Sequence, residues 1–163
     1  MIPMQPATRR MIAADNFAPT EGACSCGCGL LPSDSIILAI QALVLALSRE
    51  YDGRVRVLVQ GGVRCQSHHQ AVYAQVNAAR AKQGLPPKKA PADSRHLPPS
   101  LDALDVRMEV RGDSGRWMPI PLDIVAMWAR KLGCFGGIGL TEYQQDGRDI
   151  VHLDARPGRL VTW

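Results

Sequence analysis

With 163 residues, 46% of them hydrophobic, the chain is long enough to bury a core of its own as one ordinary globular domain. No apolar run approaches the roughly 18 to 20 residues of a membrane span; the best, Ile36 to Leu47, is interrupted by Gln41 and reads as a buried helix, so no membrane insertion is expected. A net charge of +4 and a pI near 9.0 favour anionic partners, but 5% aromatic content and no RNP-like or recognition-helix pattern argue against nucleic acid.

Met1 to Arg10 carries its charges without an apolar stretch after them, so no secretory signal peptide is expected. Residues 1–32 are rich in Pro, Gly and Cys and read as an irregular Cys-rich arm, followed by a domain over 33–163. Ser33 or Asp34 can cap a helix to about Tyr51, with Ile37, Ile40, Leu43, Val44 and Leu47 on its buried stripe. Asp52-Gly53 ends it. Arg54 to Gln60 alternates as a strand does, and Gly61-Gly62 allow a sharp turn after it. Gln66 to Gln83 reads as a helix stopped by Gly84, and Pro86 to Pro91 as a polar loop. Leu101 to Val110 reads as a strand, and Pro121 to Leu132 as a helix opened by proline. Gly136 to Tyr143 and Asp149 to Asp154 read as a hairpin around Gln144 to Arg148. The order predicts a single α+β domain with a small, largely antiparallel sheet flanked by helices.

Two histidines and two carboxylates stand out for their chemistry. A catalytic zinc needs three protein ligands and an open position for water, with a base nearby to accept a proton. His96, Asp105 and His152 can supply the ligands, and Asp149, three residues before His152, the base. Asp102 is the alternative carboxylate, but Asp105 sits on the more convincing strand. His152 and Asp154 are two apart on a strand and share a face, so Asp154 can orient a ligand, for example by bonding His96 or its loop. Asp149 would face the other way by strict alternation and must precede the regular strand, or sit at a bulge, to serve. The alternative for His152 is an ordinary hydrogen-bonded strand histidine. Arg64, at a strand end after two glycines, can bind a substrate carboxylate or a developing oxyanion, or form a surface salt bridge.

These residues resemble the zinc D-Ala-D-Ala peptidases and peptidoglycan endopeptidases of the M15 class, which include phage endolysins. Ser94-x-His96 with Ala103-x-Asp105 resembles that family's first motif, and Asp149-x-x-His152-x-Asp154 its second. Gly61-Gly-Val-Arg64-Cys65 is similar to its strand-end Ser-Gly-Tyr-Arg-Cys segment. Asn16-Phe17 with Cys24-Ser-Cys26-Gly-Cys28 is similar to the Cys-rich opening of a phage and prophage branch. The chain departs in having Pro99 where the family has glycine, and in a step from His96 to Asp105 two residues longer than the family pattern. A loop can absorb such an insertion at modest cost.

The resemblance implies a hedgehog/DD-peptidase-like fold and a Zn2+ ion on His96, Asp105 and His152. Asp149 and Arg64 are then catalytic, with Ser94 and Asp154 supporting the ligands. It implies a peptidoglycan peptide as substrate, with other phage particle proteins as further partners. The protein would be made in the host cytoplasm and released to the cell wall, or carried in a phage particle. Anionic wall polymers suit the basic charge, as does a plain solvated surface. One alternative is a catalytically degenerate member serving as a cell-wall-binding or structural component of a phage tail. The other is a zinc hydrolase acting on a different amide.

Cys24-x-Cys26-x-Cys28 is tighter than ordinary zinc spacing. The loop can join Cys65 in a disulfide, hold a second metal with a fourth ligand from Cys65 or His68, or carry free thiols. It is expected to pack near Cys65, because both lie beside Gly-rich turns. His68 and His69 diverge by about 100° on a helix and read as helix-surface or supporting residues. Trp117, Trp128 and Trp163 read as core or rim packing.

Overall fold

The computed structural model describes residues 17–140 and 149–163. Helix α1 (Asp34–Glu50) starts from Ser33 in extended conformation, with Asp34 in its first turn where the helix dipole favours a carboxylate. Its apolar spacing buries Ile36, Ile37, Ala39, Ile40, Leu43, Val44 and Leu47. Strands β1 (Val55–Gly61), β2 (Ala103–Arg111), β3 (Trp117–Pro119), β4 (Gly137–Gly139), β5 (Val151–Asp154) and β6 (Val161–Thr162) form one sheet in the order β1-β2-β5-β4-β6, with β3 beside β2. Every pairing is antiparallel except that of β4 with β6. The other helices are α2 (Gln66–Lys82) and α3 (Leu122–Leu132). The molecule is thus a small α+β domain with a mostly antiparallel sheet, as its pattern predicts.

The alternation of strand side chains gives the sheet two unlike faces. Val55, Val57, Leu104, Val106, Met108, Val151 and Leu153 share one core with the apolar stripes of α1 and α3. Each such side chain contributes about 1.5–3 kcal/mol by leaving water. Between them, Asp105, Glu109, His152 and Asp154 point to the opposite face and are nevertheless buried. Polar groups so placed must be paired, and their pairing builds the site. Helix α2 lies on that polar side of the chain's course, and only His69 of it is buried.

Two short strands, β3 and β6, extend the sheet beyond the expected set. Pro119 ends β3, and β6 is only Val161 and Thr162. The expected hairpin is present as the β4–β5 pairing, while its turn at Gln144 to Arg148 lies outside the described residues. The arm, from Phe17 onward, has one 3-10 turn at Pro19–Gly22. It is packed into the domain: Phe17 belongs to the core, and Gly22 accepts the Val63 N–H at 3.0 Å. Among the described residues no helix is long and apolar enough to cross a membrane.

Candidate metal centre and its cleft

His96, Asp105 and His152 bring ligand atoms within 4.8 Å of one another. Register explains two of the three: β2 and β5 pair Asp105 directly with His152. Asp105 Oδ1 lies 2.9 Å from His152 Nδ1 and 3.5 Å from His96 Nε2. Ligands about 2.0–2.2 Å from a common tetrahedral ion stand about 3.3–3.6 Å apart, so this donor set fits a metal ion. Gly61, opposite Asp105 in the ladder, has no side chain for a reason. A Cβ there would come within 2.5 Å of Asp105 Oδ2.

The outward nitrogens are held as metal-binding imidazoles require. His96 Nδ1 donates to the Gly62 carbonyl at 3.0 Å, which leaves Nε2 facing Asp105. His152 Nε2 lies 3.2 Å from Asp154 Oδ2, so a proton on that nitrogen leaves Nδ1 for the ion. Asp154 thus bonds a member of the trio, His152 rather than His96, because Asp154 and His152 stand on one face of β5. Asp154 is completely buried and receives Arg156 through Nε at 2.7 Å and a second nitrogen at 2.5 Å.

Charges follow from this packing. Burial alone would raise the Asp105 carboxyl, but hydrogen bonds from His152 and His96 outweigh it and hold it far below the usual range. Burial alone would lower the His152 imidazole; the Asp105 and Asp154 carboxylates outweigh it and push it up to about 9. Burial likewise opposes ionisation of Asp154, yet His152 and Arg156 keep it well below the ordinary carboxylate value. The trio thus sets one ionised carboxylate between two imidazoles.

The stretch between His96 and Asp105 is folded into a closed turn. Leu101 N–H donates to the Leu97 carbonyl at 3.1 Å, and Asp102 N–H to Arg95 at 3.2 Å. The Asp102 carboxylate is gripped by Arg95 through two nitrogens and is not part of the trio. Ser94 lines the cleft, and its carbonyl accepts the Leu97 N–H at 3.0 Å. The support under His96 comes from Gly62 instead.

The trio opens into a cleft of about 1030 Å³ whose walls include Arg64, Arg80, Lys88, Arg95 and Arg156. Arg64 approaches Asp105 Oδ2 at 4.0 Å, while its backbone N–H donates to the His96 carbonyl at 2.8 Å. Asp149 is exposed on irregular backbone before β5 and does not belong to the ligand group. Trp163 lies 5.3 Å from the His152 ring and lines the cleft. Trp117 packs under Arg56, and Trp128 under Lys131, both away from the trio.

A second group joins Cys24, Cys26, Cys28 and Cys65, whose sulfurs lie within 4.8 Å of one another. The Ser67 hydroxyl, the His68 N–H and Cys26 lower the Cys65 thiol to about 6, while Cys24 and Cys28 push Cys26 up to about 12. His68 and His69 do diverge, but neither is a plain surface residue. His68 Nδ1 lies 3.2 Å from Cys24 Sγ. His69 is buried, with Nε2 donating to the Pro91 carbonyl at 3.2 Å. The sequence pattern did not single out the Gly62 carbonyl, Arg156 or the cations Arg80, Lys88 and Arg95 along the cleft. Arg156 alone had a signal, two residues beyond Asp154. Comparison of the chain with protein-family models, curated proteins and solved structures finds no match.

Proposed function

We propose that this chain is a zinc-dependent peptidase cleaving peptidoglycan stem or cross-link peptides. The observation that carries the reading is the trio itself: two imidazoles and a carboxylate, buried, braced from behind and open to a cationic cleft. A donor set of two nitrogens and one oxygen suits zinc. Zinc held by His96, Asp105 and His152 would supply Lewis-acid polarisation of the scissile carbonyl and acidify a water.

The chain's own residues supply the remainder. Asp149 takes the proton of the attacking water and returns it to the leaving amine. It lies on irregular backbone two residues before β5, outside the strand's strict alternation. Arg64 binds a substrate carboxylate or the developing oxyanion, and Asp154 keeps the His152 ring in position. Stem peptides carry several carboxylates, which suits a cleft walled by Arg64, Arg80 and Lys88.

Metal analysis together with release of new amino groups from purified peptidoglycan tests this reading. His152→Ala should lose the ion and the hydrolysis together. Asp149→Asn should keep the ion and lower turnover by at least about 10²-fold. Wild type that holds zinc yet releases no amino groups from peptidoglycan would overturn the peptidase assignment. An Asp149→Asn variant with near-normal turnover would remove that residue from the mechanism.

A further inference from the structure

We propose that Cys24, Cys26, Cys28 and Cys65 hold a second, structural metal ion, a thiophilic divalent ion of the zinc or iron(II) class, which rivets the arm to the start of α2. The proposal is independent of the peptidase reading. Four thiolates around a tetrahedral ion at about 2.3 Å stand about 3.8 Å from one another. Here Cys24 Sγ lies 3.3 Å from Cys26 Sγ, which lies 3.5 Å from Cys65 Sγ, and all four fall within 4.8 Å. The chain achieves this by curling. Gly27 and Gly29 take positive φ of 81° and 78°, and Gly27 N–H bonds the Cys24 carbonyl at 3.3 Å. Alternate cysteines thereby converge on one point instead of following an extended chain.

A disulfide accounts for this arrangement less well. Cys26 is 3.3 Å from Cys24 and 3.5 Å from Cys65, so a bond to either would leave the other sulfurs gathered for no purpose. Backbone N–H groups of Cys65 and His68 point at Cys24 Sγ and Cys65 Sγ, each at 3.4 Å. Sulfur is a weak acceptor as a thiol, and donors aimed at it suit the charged thiolate of a metal ligand. Four sulfurs with no oxygen ligand select a soft or borderline ion, and a closed set of four leaves no position for substrate.

The ion would act at a distance on the first centre. Cys65 follows Arg64, whose N–H holds the His96 carbonyl, and the arm's Gly22 holds Val63. Immediately before Val63 sits Gly62, whose carbonyl fixes His96 Nδ1. Fastening Cys65 to the arm therefore fastens the turn on which His96 hangs.

Thiol labelling of the folded full-length chain provides the test. The protein has five cysteines, and Cys134 is exposed and outside the group. With the ion bound, Cys134 alone should label; a strong chelator should expose the other four. Metal analysis identifies the ion as zinc or iron. Cys26→Ser combined with Cys28→Ser should lose about one equivalent of it, and His152→Ala a separate one. If the double variant does not fold, cobalt substitution of the His152→Ala variant serves instead, where thiolate-to-cobalt absorption should persist. Five thiols that label equally fast with and without chelator would overturn the proposal. So would fewer than five labels in the unreduced, denatured, metal-free chain, since that reveals disulfides.

Discussion

The two walls of the cleft are held by different means. The sheet wall carries Asp105, His152 and Asp154 on strands whose reverse face is locked into the core by Leu104, Val106, Val151 and Leu153. The helix wall, α2, buries only His69 and is tied by local bonds: Asn77 with Lys88 at 2.7 and 3.0 Å, Arg80 with Pro86 at 2.7 Å, and the cysteine cluster at its start. Groups that would hold an ion to a fraction of an ångström stand where packing fixes the backbone, and groups that would meet a substrate stand where it can yield. His96 bridges the two, since its ring faces the sheet while its backbone and Nδ1 are held by the Gly62–Arg64 turn.

Stability should divide along the same line. Met108→Ala, which empties a fully buried site three residues from Asp105, should cost about 2–5 kcal/mol in denaturant unfolding. Val76→Ala on α2, where the side chain is 36% exposed, should stay within about 0.5 kcal/mol. Equal losses would mean that α2 is as firmly packed as the sheet.

Metal affinity should respond next. Asp154→Asn keeps the shape but removes the charge behind His152, and should weaken binding at the trio by about 10- to 100-fold by competition titration. An unchanged affinity would show that Asp154 serves only Arg156.

A further effect concerns protons. In the metal-free protein the His152 pKa is raised from 6.5 to about 9. The stability it brings is therefore complete below pH 6.5 and is lost as pH rises through about 9. An incoming metal must displace that proton, so affinity should climb by about tenfold per pH unit between roughly 7 and 9 and then level. Calorimetry in buffers of different ionisation enthalpy should detect the released proton; its absence would mean that His152 is neutral before binding.

Much of this was legible in the sequence where a period or a residue type carried it. The stripe Ile37, Ile40, Leu43, Val44, Leu47 announces α1, and His96, Asp105 and His152 could be named as candidate ligands by residue type, whereas their convergence depends on the strand pairing. Strands β3 and β6 were not legible, since three and two residues are too short to show alternation. Nor was the partner of Asp154, because which nitrogen meets which carboxylate depends on the pairing of Asp105 with His152 across strands. The Gly62 carbonyl escapes any reading by residue type, being backbone. Arg80 on α2, with Lys88 and Arg95 on the loop after it, looks like ordinary solvated charge until the fold brings the three to one cleft.

The turn between His96 and Asp105 bears on how such sites diversify. Spacing in a sequence pattern counts residues, whereas an ion registers only the separation of ligand atoms. The Arg95–Asp102 contacts close Leu97 to Leu101 into a side loop, so its length is uncoupled from the distance that matters. Insertions there can accumulate, and could acquire contacts with substrate, without disturbing the ligands. A pattern that fixes the count between histidine and aspartate would pass over chains built this way; one that instead requires a clasp at both ends of the excursion would retain them.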